Sequence, residues 1–282
     1  MRVVVTGAAG FIGSALCIEL QKAHDVLGVD SFEGILYPSG VKRQNASDLE
    51  SLGVLIEELD LRHADLGPML DGADAVVHLA ALPGLVPSWT HYDEYLSCNV
   101  LGTLRLVETA VSAGVTRFIH GSTSSVYGAN AIGDETQPLA PVSPYGVTKL
   151  AAEEVVRAHC RVLGLSAVIL RYFSVYGPGQ RPDMAYHRFI EAALDGAAID
   201  VFGDGLQTRS NTYVSDCVAA TIAALESGNG GEVYNIGGGS EIELLEAVDL
   251  IGIECGRELK VNFLPSRTGD QRHTRADCSL AL

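Results

Sequence analysis

Positive charge is scarce in this chain. Its 282 residues hold 19 Lys and Arg against 35 Asp and Glu, a formal net charge of −16. Such a surface does not attract nucleic acid or an anionic membrane. An anionic small molecule can bind only where local guanidinium, ammonium or backbone N–H groups reverse the field. Thiol pairs are also missing. The six cysteines (17, 98, 160, 217, 255 and 278) lie far apart with no C-x-x-C, so neither a zinc site nor a redox motif is expected. No apolar run is long enough to span a bilayer, and the chain opens on a strand-like run, Arg2–Thr6, rather than a signal peptide. A cytoplasmic protein with reduced cysteines is the expectation. What is abundant is apolar content, 47% against 19% charged, enough for one large domain or two joined ones.

Short apolar runs alternate with longer helical patterns. Residues 3–5, 25–29, 54–59, 75–79, 117–120 and 167–170 read as strands, and 12–23, 92–113 and 145–163 as helices. Alternation of this kind predicts an α/β fold with a Rossmann-type, doubly wound parallel sheet. Past residue 173, Pro178, Gly179 and Pro182 break the pattern. A smaller substrate-binding region, 174–204 and 237–282, is expected to interleave with the main domain, 1–173 and 205–236.

Gly7, Gly10 and Gly13 follow the first strand and open the first helix. This G-x-x-G-x-x-G allows a tight turn and close backbone approach to a pyrophosphate, which the helix N-terminus then receives. Asp30 ends the second strand, where its carboxylate can accept from a ribose 2′-hydroxyl and repel a 2′-phosphate. NAD is therefore expected over NADP. Asp60 and Leu61, at the end of the third strand, are expected beside the adenine.

Ser143-Pro144-Tyr145-Gly146-Val147-Thr148-Lys149 begins a helix. Tyr145 and Lys149, four apart, share one face. An isolated pair of this kind is usually an ordinary helix contact. Beside a dinucleotide turn it reads differently: an ammonium near the phenol lowers its pKa and makes it a base near neutral pH.

With these residues in place, the chain resembles the extended short-chain dehydrogenases/reductases, specifically the nucleotide-sugar epimerases and dehydratases. The motifs are G-A-A-G-F-I-G, H-L-A-A from His78, Asn99, S-V-Y-G, S-P-Y-G-V-T-K, R-Y-F-S-V-Y-G-P from Arg171 and Y-N-I-G-G-G from Tyr234, in family order. The resemblance implies Thr123, Tyr145 and Lys149 as the catalytic set. It implies NAD contacts from Gly7, Gly10, Phe11, Ile12, Asp30, Ser31, Asp60 and Leu61, and from Leu79, Ala80, Ala81, Asn99, Ser122 and Tyr172. Arg209 and Arg267 would meet the substrate pyrophosphate, Asp270 its ribose and Phe202 its nucleobase. Ser124, Ser125, Ser174 and Arg181 would surround the sugar. His78 is expected to be structural. A homodimer through the helices at 92–113 and 145–163 is implied.

Dehydratases of this family carry Thr-Asp-Glu where this chain has Thr123-Ser124-Ser125. A serine hydroxyl is a poor acid or base near neutral pH, so elimination lacks its usual catalysts. A 4-epimerase of a UDP-sugar is the expected enzyme. The stretches Tyr37–Asn45 and Gly179–Ala185 point to UDP-glucuronate, with UDP-glucose as the alternative. Departures from the family pattern are Ala15 for His, Ser210-Asn211 for Asp-Phe, and an end at Leu282 ahead of the expected final helices.

Overall fold

The computed structural model describes residues 1–239 and 241–282. Its centre is a seven-stranded sheet in the order Val233–Ile236, Ala167–Tyr172, Arg117–Thr123, Ala75–His78, Arg2–Thr6, Asp25–Asp30, Leu55–Glu58. Every pairing in it is parallel. Val3, Val4 and Val5 are all fully buried, because a parallel sheet is covered by helices on both faces. One face packs Val3, Val5 and Leu170 against Leu16 and Cys217. The other packs Val4, Phe118 and Ile169 against Leu106 and Val156. Each such side chain contributes roughly 1.5–3 kcal/mol when fully buried.

Strand order reverses direction between Arg2–Thr6 and Ala75–His78. The crevice beyond the carboxyl ends of these strands is where a doubly wound sheet binds ligands. The strand Arg117–Thr123 runs three residues past His120 into that crevice, so Ser122 and Thr123 belong to the strand itself. The 3₁₀ turn at Ser124–Tyr127 begins only after Thr123, whose hydroxyl accepts from the Ser125 N–H at 3.2 Å.

The catalytic-motif helix spans Pro144–Leu163. Ser143 caps it by accepting from the Gly146 N–H at 3.1 Å, and Gly164 ends it with φ of 72°. The helix expected at 92–113 is continuous in path but not in winding: a π-helical segment, Ser97–Leu101, interrupts it. Helices at Ser39–Ser51, Ala185–Asp195 and Leu244–Glu254 were not anticipated. Ser39–Ser51 buries only Ala46 and Leu49, too thin a stripe for a periodicity argument.

The last third of the chain folds back on the sheet. Glu241–Glu243, Thr208–Ser210, His273–Ala276 and Asn130–Gly133 form a second, four-stranded sheet. Its last strand comes from residue 130, inside the segment assigned by sequence to the dinucleotide domain, so the two regions share a sheet. No helix among the described residues is long and apolar enough to cross a membrane, and all six cysteines are free.

The glycine turn is tightly determined. A Cβ on Gly13 would lie 2.1 Å from the Gly7 carbonyl oxygen, a backbone atom that cannot yield. Gly13→Ala is therefore expected to destabilise the chain by about 1–3 kcal/mol, the usual range for overpacking. Thermal unfolding followed by circular dichroism checks this; an unchanged melting temperature would contradict it.

Candidate active site

A cavity of about 680 Å³ lies in the crevice. The glycine turn forms one end of it. Gly7 has φ of +74°, and a Cβ there would sit 2.7 Å from the Ala80 nitrogen, so backbone meets backbone across the strand ends. No side chain caps the start of the helix Phe11–Leu20, which leaves its N-terminal N–H groups to an anion. Gly7, Gly10, Phe11, Ile12, Ser31, Leu79, Ala80, Ala81, Ser122 and Tyr172 all line the cavity.

Asp30 also lines it and is only 5% exposed. Its carboxylate accepts from the Phe32 N–H at 2.9 Å, the Lys42 ammonium at 3.1 Å and the Ala9 N–H at 3.2 Å. Phe32 holds φ of +53°, an uncommon conformation for a bulky residue beside a ligand site. Asp60 and Leu61 line the same end. Asp60 accepts from the Arg62 backbone and guanidinium, and Arg62 also pairs with Glu33. Burial alone would raise the Asp60 pKa, but these bonds outweigh it and hold the carboxyl below its usual range.

Thr123, Tyr145 and Lys149 line the cavity together with Ser174, which has φ of +23°. Lys149 is 3% exposed and donates to the Gly121 carbonyl at 2.7 Å. Burial brings its pKa down from 10.5 to about 8. The lowered phenol expected from the Tyr145–Lys149 spacing is not found in the free protein. Burial raises the Tyr145 pKa, and the influences opposing it are the neighbouring Thr123 hydroxyl and the charge of Arg181. Lys149 points to the strand-end carbonyl instead.

Other predicted residues are placed differently. Asn99, within the π-helical segment, is 1% exposed and lies outside the lining. Its amide bonds both backbone groups of Leu82 and the Thr148 hydroxyl, tying a cavity loop to the catalytic helix. Ser124 and Ser125 also lie outside the lining. The Ser124 hydroxyl faces Gln271 at 3.4 Å, and the Ser125 hydroxyl accepts from Thr123 at 3.2 Å. Arg181, Arg267 and Asp270 line the cavity, whereas Arg209 and Phe202 do not. The Arg267 guanidinium lies 3.3 Å from the centre of the Phe202 ring and covers a face of it. Arg209 and Arg267 both feel the charge of Asp270. His78 is 1% exposed and bonds Thr6 at 2.7 Å and Thr103 at 2.9 Å. Among the described residues no cluster could hold a metal ion.

A buried polar network beneath the site escaped sequence reading. Glu153 accepts from Ser122 and forms an ion pair with Arg171 at 2.7 Å; the pair is 0% and 1% exposed. Arg171 donates to the Tyr127 hydroxyl at 2.9 Å, which donates to Asn235 at 2.7 Å. One signal was available: Glu153 stands four residues after Lys149, on the face that Tyr145 and Lys149 share.

The profile of the NAD dependent epimerase/dehydratase family matches residues 3–237. This chain belongs to that family. An uncharacterized UDP-glucose epimerase of Bacillus subtilis (strain 168), YtcB, is 43% identical over 288 residues, covering 100% of this chain and 90% of that one. The crystal structure of a UDP-glucuronic acid 4-epimerase from Bacillus cereus, in complex with UDP-glucuronic acid and NAD, superposes with a TM-score of 0.96 at 42% identity, covering 100% and 91%. DesIV, a dTDP-glucose 4,6-dehydratase from Streptomyces venezuelae with NAD and TYD bound, reaches 0.92 at 33% identity, covering 99% and 89%. Members with different reactions thus share this backbone closely, and the side chains must separate them.

Two outcomes are expected of the buried groups. Arg171→Met alone strands the Glu153 charge and should cost about 3–5 kcal/mol, whereas Arg171→Met with Glu153→Met should cost far less. Urea unfolding of the set decides, and equal losses would contradict it. The second outcome concerns Lys149. Between pH 8 and 10.5 the unfolded chain retains a proton that folded Lys149 has shed, so this group makes stability rise with pH in that window; its burial penalty is fully present below it. Lys149→Met should flatten that rise in unfolding measurements from pH 7 to 10.5.

Proposed function

We propose that this chain is an NAD-dependent 4-epimerase of a UDP-sugar, and that UDP-glucuronate, converted to UDP-galacturonate, is its substrate. The observation that carries this reading is one cavity lined by Thr123, Tyr145 and Lys149 together with Gly7, Gly10 and Asp30, with hydroxyls and no carboxylate following Thr123. The residues fit NAD: a glycine turn in which a Cβ on Gly7 or Gly13 would strike backbone, an uncapped helix start and the Asp30 carboxylate. When bound, NAD accepts hydride from C4 of the sugar and returns it.

The chain's own residues do the rest. Tyr145 takes the proton of the 4-hydroxyl and later gives it back, with Thr123 in hydrogen-bond relation to both phenol and sugar. Lys149 keeps donors free beyond its bond to Gly121 and holds the nicotinamide ribose. The regions 174–204 and 237–282 hold the nucleotide-sugar, with Arg267, and Arg209 from the main domain, supplying guanidinium to the pyrophosphate in an otherwise acidic protein. Asp270 contacts the ribose. Phe202 receives the nucleobase only after Arg267 leaves its face. Ser174 and Arg181 flank the sugar's C6 end. Dehydration needs an acid and base to expel water, and neither Ser124 nor Ser125 supplies one.

UDP-glucose is the second reading, favoured by the likeness to YtcB. A homodimer is proposed as well. The helices Gly102–Ser112 and Pro144–Leu163 pack together and, with the preceding Tyr92–Leu101 stretch, expose Leu96, Leu101 and Val147. A cytoplasmic location accords with the six free thiols.

Purified protein incubated with UDP-glucuronate should yield UDP-galacturonate by NMR. A 4-keto-6-deoxy sugar or a UDP-pentose would replace this reading with dehydratase or decarboxylase chemistry. Tyr145→Phe should keep NAD and lose at least about a hundredfold in turnover, the usual contribution of a positioned base. Full activity in that variant would remove Tyr145 from the mechanism.

A further inference from the structure

Ser124 follows Thr123 but does not line the cavity. What this turn does touch is Gln271, 147 positions away in the chain. The buried Gln271 amide nitrogen donates to the Ser124 carbonyl at 3.1 Å and to the Gly128 carbonyl at 2.9 Å. Its amide oxygen faces the Ser124 hydroxyl at the longer distance of 3.4 Å. Both amide hydrogens are thus engaged, which settles which way round the group stands. Gln271 directly follows Asp270 and lies four residues after Arg267, and both of those line the cavity. The same segment rests on the catalytic helix at a second point. Gly269 has φ of +83°, and a Cβ there would lie 3.0 Å from the Val142 carbonyl oxygen and 3.4 Å from the Cβ of Ser143, the cap of the helix that carries Tyr145. Next along, the Arg272 N–H donates to the Ala129 carbonyl at 2.8 Å, which extends the seam.

We propose that Gln271 is a positioning residue for the nucleotide-diphosphate end of the site: it clamps the segment bearing Arg267 and Asp270 onto the turn that follows Thr123. The inference rests on the proposed nucleotide-sugar reading, in which Arg267 meets the pyrophosphate and Asp270 the ribose. Neither residue belongs to a helix or strand. They lie in the connection between the strands Val261–Leu264 and His273–Ala276. A loop that must order itself around a ligand loses affinity to that ordering, and one already seated does not. Gln271 supplies the seat, because one side chain bonds two carbonyls of a different part of the fold. It also fixes a distance. The Ser124 carbonyl is one residue from Thr123, so a nucleotide held by Arg267 and Asp270 is presented to Thr123 and Tyr145 at a set separation. The hydroxyl at 124 suits this arrangement. It can donate to the Gln271 oxygen, whereas a carboxylate there could only accept and would oppose it. A contact that served folding alone would affect the NAD and nucleotide ends of the cavity alike, and that difference is measurable.

The test is calorimetric and does not depend on turnover. UDP is titrated into NAD-loaded wild-type protein and variants, and NAD affinity is measured on the same proteins. Gln271→Leu should weaken UDP about tenfold, the scale of one or two neutral hydrogen bonds, and NAD less than twofold. Gln271→Asn keeps an amide one methylene short of the two carbonyls; it should weaken UDP about threefold or more, and it carries the test where the leucine variant does not fold. Ser124→Ala keeps both carbonyl bonds and should weaken UDP less than twofold. In an Asp270→Ala background the effect of Gln271→Leu should shrink to about threefold or less, because a group it positions is gone. Unchanged UDP affinity in the Gln271 variants would overturn the proposal. So would equal losses for UDP and NAD, a full tenfold loss that persists without Asp270, or a loss in Ser124→Ala as large as in Gln271→Leu. UDP carries no sugar, so product identity with the wild-type enzyme tests the epimerase reading separately, and either can fail while the other stands.

Discussion

The buried ion pair between Arg171 and Glu153 joins the parts from which the site is made. Arg171 comes from the strand Ala167–Tyr172, and Glu153 from the helix that carries Tyr145 and Lys149. Through Ser122 the pair reaches the strand that presents Thr123, and through Tyr127 and Asn235 it reaches the last strand of the sheet. Taking both ions out of water costs several kcal/mol each. That cost is offset only because the lone pairs and N–H groups around the pair are matched. The pKa of Arg171 reflects the balance: burial works against its charge, yet Glu153 holds it above the ordinary value. Such a network tolerates one arrangement and penalises displaced ones. It thereby sets the register between the catalytic helix and the strand ends.

The same logic of local reversal governs the ligand end. A chain with net charge −16 repels a diphosphate at long range. Close in, the cavity offers an uncapped helix start together with Arg181 and Arg267. Three cationic groups are each checked by an acidic neighbour: Lys42 by Asp30, Arg62 by Asp60 and Glu33, Arg181 by Asp183. Arg267 is engaged by the Phe202 ring. In the free protein the positive groups are thus held in local partnerships, and an anionic ligand has to exchange them. Affinity follows from that exchange more than from the count of arginines.

Much of this was legible in the sequence where one residue type is demanded by backbone geometry or strand-end position. The glycines at 7 and 13 admit no Cβ, and Asp30 stands at the end of its strand, where the motif expects a carboxylate. Alternation of buried strands and helices was sufficient to place the sheet. What could not be read were side-chain directions in irregular segments. Four successive hydroxyls look equivalent in a sequence. In the fold Ser122 turns to Glu153, Thr123 to the cavity and Ser124 to Gln271, a residue 147 positions away. Asn99 is expected as a cofactor contact from its motif position. Its bonds to Leu82 and Thr148, made from a π-helical segment, could not be read from that position.

Tyr145 shows where spacing alone misleads about chemistry. A lysine one turn away suggests an activated phenol, yet the Lys149 ammonium is drawn to the Gly121 carbonyl, and burial keeps the phenol protonated. A base that is ready before its substrate arrives would be a liability in a cavity that also holds Asp30 and Asp183, because a further anion would be paired with nothing. A phenol that stays neutral until cationic charge and the sugar hydroxyl are both in place avoids that. Thr123 and Arg181 already pull in the required direction. Activation is then a property of the assembled complex, with Thr123 beside the phenol and serines rather than acids following Thr123 in the chain.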